Sequence, residues 1–330
     1  MQLVINTYGT YVHIKDELFE VRVKKDGIEK KHHFAAQKVT SILLSKGSAI
    51  STDAIILALK NNIDIVVFEY DGTPMGRFWH SRPGSTSRIR KTQLEASMDQ
   101  RAVFWIKSWL SEKVTNQLEL LKRLKKNRSA RAGYIQEQVD KIENMRKKID
   151  EINAGKIEEI EASLRGYEGT AGRIYFQTVS SLLDKRYQFD GRSFRPAKDP
   201  FNAFLNYAYG ILYSRVEKTL IVAGIDPYLG FMHRDDYNTK SMVFDFIEPY
   251  RTIADEVIFK LFSAKKVNDK HCDKIAQGYS LNAEGKNLLV QHFFKFFDED
   301  KFRYKNRNQT RGNALQLAAH NFANQLIKKR

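Results

Sequence analysis

Cysteine is all but absent. Cys272 is the one thiol in 330 residues, which excludes an intramolecular disulfide framework and a zinc ribbon and suits a reducing cytoplasm. Proline is nearly as scarce: there are six, with none between Pro83 and Pro196, so a long stretch of chain is free of helix breakers. No apolar run approaches the roughly 20 residues of a membrane span, and Met1-Gln-Leu-Val-Ile-Asn-Thr7 lacks the basic flank and long apolar core of a signal peptide. A soluble cytoplasmic protein with no membrane partner is expected. Also missing are a Gly-x-Ser-x-Gly elbow, a phosphate-cradling Gly-x-x-x-x-Gly-Lys-Ser/Thr loop and a dinucleotide fingerprint, which argues against ATP use or a covalent serine.

What is abundant is positive charge. Against 39 Asp and Glu stand 55 Lys and Arg, a formal net charge of +16, and this points to a polyanionic partner, nucleic acid first. Residues 1–90 carry 13 basic and 9 acidic side chains, whereas residues 301–330 carry 8 basic and none acidic. A solvated or disordered tail is one reading of that end; Phe302, Tyr304 and Phe322 favour packing or nucleic-acid contact. No helix-turn-helix, zinc finger or other base-reading module is recognisable, so duplex shape and phosphates are the expected determinants.

A chain of this length holds about two domains of roughly 100 to 200 residues. Leu3–Ile5, Tyr11–Ile14 and Leu18–Val23 are short β-rich runs, and Lys25-Asp-Gly27 signals a hairpin to a return strand from Ile28. Ser51-Thr-Asp53 reads as an N-cap before a helix over Ala54–Leu59, and Ile63–Phe68 as a buried central strand closed by Asp71-Gly72. Turn formers at Arg82-Pro-Gly-Ser-Thr-Ser87 then set a boundary between residues 1–87 and 88–330. Beyond it, Val139, Ile142, Met145, Ile149, Ile152, Ile157, Ile160 and Leu164 recur near the helical period, with a slip at Ala154-Gly155. Helical patterning continues over Ile174–Leu183, Pro200–Val222 and Glu248–Phe262. The expected fold is α+β, a β-rich N-terminal domain followed by a larger all-α one.

Glu168, His233 and Glu248 are the candidate chemistry. Two carboxylates and one imidazole make a harder ligand set than zinc or iron sites, and so favour Mg²⁺ or Mn²⁺; in so basic a chain, such a metal implies phosphodiester chemistry. Each residue also has an ordinary reading. A lone Glu near a helix end is commonly a solvated charge, but Glu168 is flanked by Gly169-Thr-Ala-Gly172, small residues that would admit a backbone or a bulky ligand. An isolated His is more often structural, but His233 closes a Pro227- and Gly230-containing loop whose Leu229, Phe231 and Met232 can anchor it. Asp245 and Glu248, three apart at the start of a helical pattern, could each serve as a helix N-terminal charge.

These residues lie in four ordered stretches: Tyr167-Glu-Gly-Thr-Ala-Gly-Arg-Ile-Tyr-Phe176, Asp199-Pro-Phe-Asn-Ala-Phe-Leu-Asn-Tyr-Ala-Tyr209, Gly224-Ile-Asp-Pro-Tyr-Leu-Gly-Phe-Met-His233 and Phe244-Asp-Phe-Ile-Glu-Pro-Tyr-Arg251. Together they resemble the CRISPR-associated adaptation integrases, the endonucleases that install new spacers in repeat arrays. The resemblance implies a metal-dependent transesterification in which a protospacer 3′-hydroxyl attacks a repeat-boundary phosphodiester. It implies Glu168, His233 and Glu248 as ligands of Mg²⁺ or Mn²⁺, with Asp245 in a supporting role. It also implies a homodimer, built largely through the β-rich domain, that joins a small companion of ferredoxin-like fold to clamp duplex DNA. A stand-alone structure-selective repair nuclease and a non-catalytic architectural DNA-binding protein are the competing readings; a small-molecule metalloenzyme fits the charge poorly.

Overall fold

A computed structural model describes residues 1–25, 28–61, 63–69, 72–78, 87–233 and 239–328. It divides into two compact units, Met1–Pro83 and Gly84–Arg330. The expected turns at Asp26-Gly27 and Asp71, and residues 82–86 of the expected boundary, lie outside the described residues.

The first unit holds β1 (Gln2–Ile5), β2 (Tyr11–Lys15), β3 (Leu18–Lys25), β4 (Ile28–Ala35), β5 (Ser41–Ser45), β6 (Ala49–Ile50), α1 (Thr52–Lys60), β7 (Asp64–Phe68) and β8 (Pro74–Phe78). They form two four-stranded sheets, ordered β1-β5-β7-β8 and β4-β3-β2-β6. β5 and β7 are near-continuous apolar runs because both are inner strands, β5 parallel to both neighbours and β7 parallel to β5 and antiparallel to β8. Alternation appears instead in β3, where Phe19 and Val21 enter the core beside Val12, Ile42 and Ile65. α1 begins where Ser51 accepts the Ala54 N–H at 3.2 Å, a cap worth about 1 kcal/mol, and it packs Ala54 and Ala58 into the same core.

The second unit is largely helical: α2 (Ser87–Ser97), α3 (Gln100–Lys126), α4 (Ala132–Glu151), α5 (Glu161–Ser181), α6 (Pro200–Val222), α7 (Ser241–Phe246), α8 (Arg251–Ser263), α9 (Ala283–Phe294) and α10 (Arg311–Ile327). Two antiparallel hairpins accompany them, β9 (Cys272–Ile275) with β10 (Gly278–Leu281), and β11 (Lys301–Tyr304) with β12 (Arg307–Thr310). The slip at Ala154-Gly155 is the link between α4 and α5. Asp199 caps α6, accepting the Asn202 N–H at 2.7 Å, and Pro200 takes the first turn where no N–H is needed.

The basic C-terminal end is a hairpin and a helix, so the disordered-tail reading is replaced by packing. Phe322 of α10 is buried and meets Trp109 of α3 edge-on with ring centroids 5.2 Å apart. Trp109 also stacks on Phe231 and meets Phe246 edge-on. Such contacts contribute about 0.5–1.5 kcal/mol each beyond the area they bury. This cluster ties α3, α7 and α10 to the segment that ends at His233. Among the described residues, no helix is long and apolar enough to cross a membrane.

Candidate metal-dependent active site

α3 supplies the floor of the site. Its buried stripe runs Ala102, Val103, Ile106, Trp109, Leu110, Val114, Leu118 and Leu121, and at one position of that stripe stands Lys113, 7% exposed. An ammonium cannot be buried without anionic partners, and Lys113 has two. Its Nζ donates to Glu168 Oε1 on α5 and lies 2.5 Å from Glu248 Oε2. Glu248 begins a single 3₁₀ turn, Glu248–Tyr250, between α7 and α8, held on α3 by Asn116, whose side-chain amide donates to the Pro249 carbonyl at 2.8 Å.

Glu248 is also bonded by Arg251, whose Nε donates to Oε1 at 2.9 Å. Burial pushes its carboxyl up, yet the Arg251 and Lys113 cations outweigh burial and hold it at about 2. Burial likewise pushes Lys113 down, and Glu248 and Glu168 more than reverse that. The Glu248 carboxylate and the Lys113 ammonium are therefore both charged at neutral pH.

Glu168 sits inside α5 rather than near a helix end. A Cβ built at Gly166 or Gly169 would meet nothing within 4 Å, and at Gly172 only the Glu168 carboxylate at 4.0 Å. Among the described residues no backbone from outside α5 packs against these glycines, so the small residues leave the helix surface beside Glu168 open.

His233 is placed by Asp245, which is 1% exposed near the end of α7. The Asp245 carboxylate accepts the main-chain N–H groups of Phe231 (2.6 Å), Met232 (3.1 Å) and His233 (3.2 Å) and lies 2.6 Å from the imidazole Nδ1. A carboxylate can only accept, so Nδ1 carries the proton and the lone pair of the neutral ring is on Nε2. The loop is fixed at its other end by Gln93 of α2, whose side chain donates to the Asp226 and Leu229 carbonyls and accepts the Asp226 N–H. Gly230 passes so close to α7 that a Cβ there would lie 2.6 Å from Ser241 Cβ and 2.8 Å from the His233 carbonyl.

The remaining stretch of the four, residues 199–209, supports the carboxylate pair from behind. Arg251 lies over the Tyr209 ring at 5.1 Å, and Tyr209 donates its hydroxyl to Asp255 at 2.6 Å, as Tyr175 does at 3.0 Å. Burial pushes Asp255 up to about 6 despite these two hydroxyls. Arg192 lies over both Phe176 and Tyr209 and donates to Asn202 and Asn206.

Of the expected site residues, Glu168 and Glu248 thus meet at one buried cation, and His233 and Asp245 form a second pair. Among the described residues, no three His, Cys, Asp or Glu side chains stand close enough to hold a metal ion. The carboxylate pair by itself fits a hard divalent cation: its oxygens converge on a positive group, and buried Glu248 Oε2 accepts no well-aligned hydrogen bond.

The family profile described as CRISPR associated protein Cas1 matches residues 3–295. The chain belongs to the Cas1 family. It is 31% identical over 330 residues to the CRISPR-associated endonuclease Cas1 1 of Archaeoglobus fulgidus, covering 97% of this chain and 94% of that one. Among solved structures it is similar to a casposase bound to integration product, with a TM-score of 0.83 and 20% identity over 100% of this chain and 92% of the other. A Cas6-RT-Cas1–Cas2 complex gives a TM-score of 0.79 and 21% identity, covering 99% of this chain and 35% of that longer one. At these identities the two structures carry the fold, a β-rich unit followed by a helical one.

Proposed function

We propose that this Cas1-family chain is the endonuclease and integrase of CRISPR spacer acquisition, joining protospacer 3′-hydroxyls to repeat phosphodiesters. The observation that carries the reading is the convergence of Glu168 and Glu248, from separate elements, on one buried positive charge. Glu168 and Glu248 would hold Mg²⁺ or Mn²⁺, with Nε2 of His233 as a third ligand once drawn closer to the pair than it stands here, and the ion would supply charge neutralisation at the scissile phosphate and lower the pKa of the attacking hydroxyl or water. Asp245 fixes the imidazole tautomer, and the aromatic cluster around Trp109 fixes the loop behind it. In the transfer, the 3′-oxygen forms a new P–O bond as the existing P–O bond breaks, so no protein nucleophile is needed.

In this reading residues 88–330 form the catalytic domain, and residues 1–87 provide dimerisation and DNA contact. The partners are duplex DNA from protospacer and repeat, a second copy of the chain and a small ferredoxin-like companion. Support for DNA and for a Cas companion comes from relatives: one structural neighbour is a casposase bound to integration product, another a complex that contains Cas1 and Cas2. The net charge of +16 suits a phosphate-rich ligand.

The test is a strand-transfer assay on a repeat-containing duplex with the companion protein, in Mg²⁺ or Mn²⁺ and in chelator. Metal-dependent joined product is expected. Cleavage of branched DNA with no joining would instead identify a stand-alone nuclease, and binding without either product an architectural protein.

A further inference from the structure

Lys113 sits where the carboxylates of Glu168 and Glu248 converge. Its Nζ is within ion-pair distance of both, and it reaches them from the buried face of α3. A divalent cation bridging the same two carboxylates would need oxygen distances of about 2.0–2.1 Å for Mg²⁺, in the space the ammonium fills. The charge balance points the same way. Glu168 and Glu248 contribute two negative charges, Lys113 and Arg251 two positive ones, so the cluster is neutral and offers a dication little attraction while Lys113 is in place. Arg251 is fixed from behind by Tyr209, whereas a Lys head on a flexible four-carbon stem can leave.

We propose that Lys113 is an internal competitor for the metal: the ammonium and a divalent cation exclude one another between Glu168 and Glu248, and loading requires the Lys113 side chain to swing away. This rests on the metal-site reading above. It makes metal loading coupled to a side-chain switch, so a partner that draws the ammonium off, such as a DNA phosphate, would favour loading.

The experiment is Mn²⁺ titration of the full chain, followed by the electron paramagnetic resonance signal of free Mn²⁺, for the wild type, Lys113→Met and Lys113→Gln. Removing the competing charge should tighten Mn²⁺ binding by roughly tenfold or more. Unchanged binding in either folded variant overturns the proposal, and weaker binding overturns it by making Lys113 a helper of the metal. Should both variants fail to fold, amine acylation of the wild type decides. Labelling of Lys113, read by mass spectrometry, should rise several-fold on adding Mn²⁺, and constant labelling rejects displacement. Glu168→Gln and Glu248→Gln separate the two ideas. Loss of Mn²⁺ binding in both, with no effect of Lys113 substitution, leaves the metal site standing and sinks the competitor. Absence of Mn²⁺ binding in wild type and Lys113 variants alike removes both.

Discussion

Asp245 binds His233 twice, lying 2.6 Å from its imidazole Nδ1 and accepting its main-chain N–H at 3.2 Å, and so fixes both the position and the tautomer of the ring. With the Phe231 and Met232 N–H groups on the same carboxylate, one buried charge gathers the end of the loop. Asp245→Asn keeps the shape but loses the charge-assisted bonds, each worth about 1.5–3 kcal/mol. The melting temperature should fall, and strand transfer should drop about 10- to 100-fold, as for other residues that orient a metal ligand. A variant with wild-type melting and wild-type transfer would show that the aromatic cluster holds the loop without Asp245.

Substitution of the proposed ligands should separate chemistry from binding. Glu168→Gln, Glu248→Gln and His233→Ala should each abolish strand transfer and nuclease activity while leaving duplex affinity within about twofold, because phosphate contacts supply affinity and the metal acts on the chemical step. Fluorescence anisotropy on duplex DNA and a gel-based transfer assay give the two readouts. Near-normal transfer by purified His233→Ala would remove His233 from the site.

How much of this was legible depended on whether a residue's role is local. The Ser51 cap, the inner strand over Ile63–Phe68 and helix α6 over Pro200–Val222 follow from capping chemistry, apolar runs and proline placement within a few residues. His233 stood out because a loop with Pro227, Gly230 and apolar anchors is itself a local signal. Lys113 did not, since its partner Glu168 is 55 residues away in the chain; a single Lys on the apolar stripe of α3, flanked by Trp109, Leu110 and Val114, was the signal available. The glycines around Glu168 suggest a helix end, but they break the propensity pattern without breaking the helix, which runs Glu161–Ser181. The hairpins at Cys272–Leu281 and Lys301–Thr310 were hidden because four-residue, mostly polar strands carry almost no period.

Asp255 gives the fold a pH dependence of definite sign. Its folded-state value of about 6 lies above the ordinary 3.8, so the folded protein holds a proton that the unfolded chain has already lost. Its contribution is fully present below pH 3.8, declines as pH rises through about 6 and is level above that. Between pH 7 and pH 5 the wild type should gain about 1 kcal/mol relative to Asp255→Asn, which lacks the titration. Urea unfolding of both proteins at the two pH values checks this; parallel changes would mean that Asp255 stays ionised beside Tyr175 and Tyr209.

The basic C-terminal end splits into two kinds of cation. Arg303, Lys305 and Arg307 are exposed on the β11–β12 hairpin, whereas Arg311 lies 3.5 Å over the Phe296 ring and donates to the Phe296 carbonyl at 2.9 Å. The first three face solvent and can meet phosphates, Lys305 while lying 5.5 Å over the Tyr304 ring; the fourth is committed to packing. Arg303→Ala, Lys305→Ala and Arg307→Ala should weaken binding to all duplex sequences alike. Each lost contact should reduce the magnitude of the log K against log salt slope by about 0.9. Arg311→Ala should leave that slope unchanged and lower the melting temperature, because it removes a cation–π contact worth about 0.5–2 kcal/mol together with a hydrogen bond. A salt titration of the four variants, paired with thermal melts, distinguishes the roles. A slope unaltered by the hairpin substitutions would assign this end to protein contacts instead of DNA.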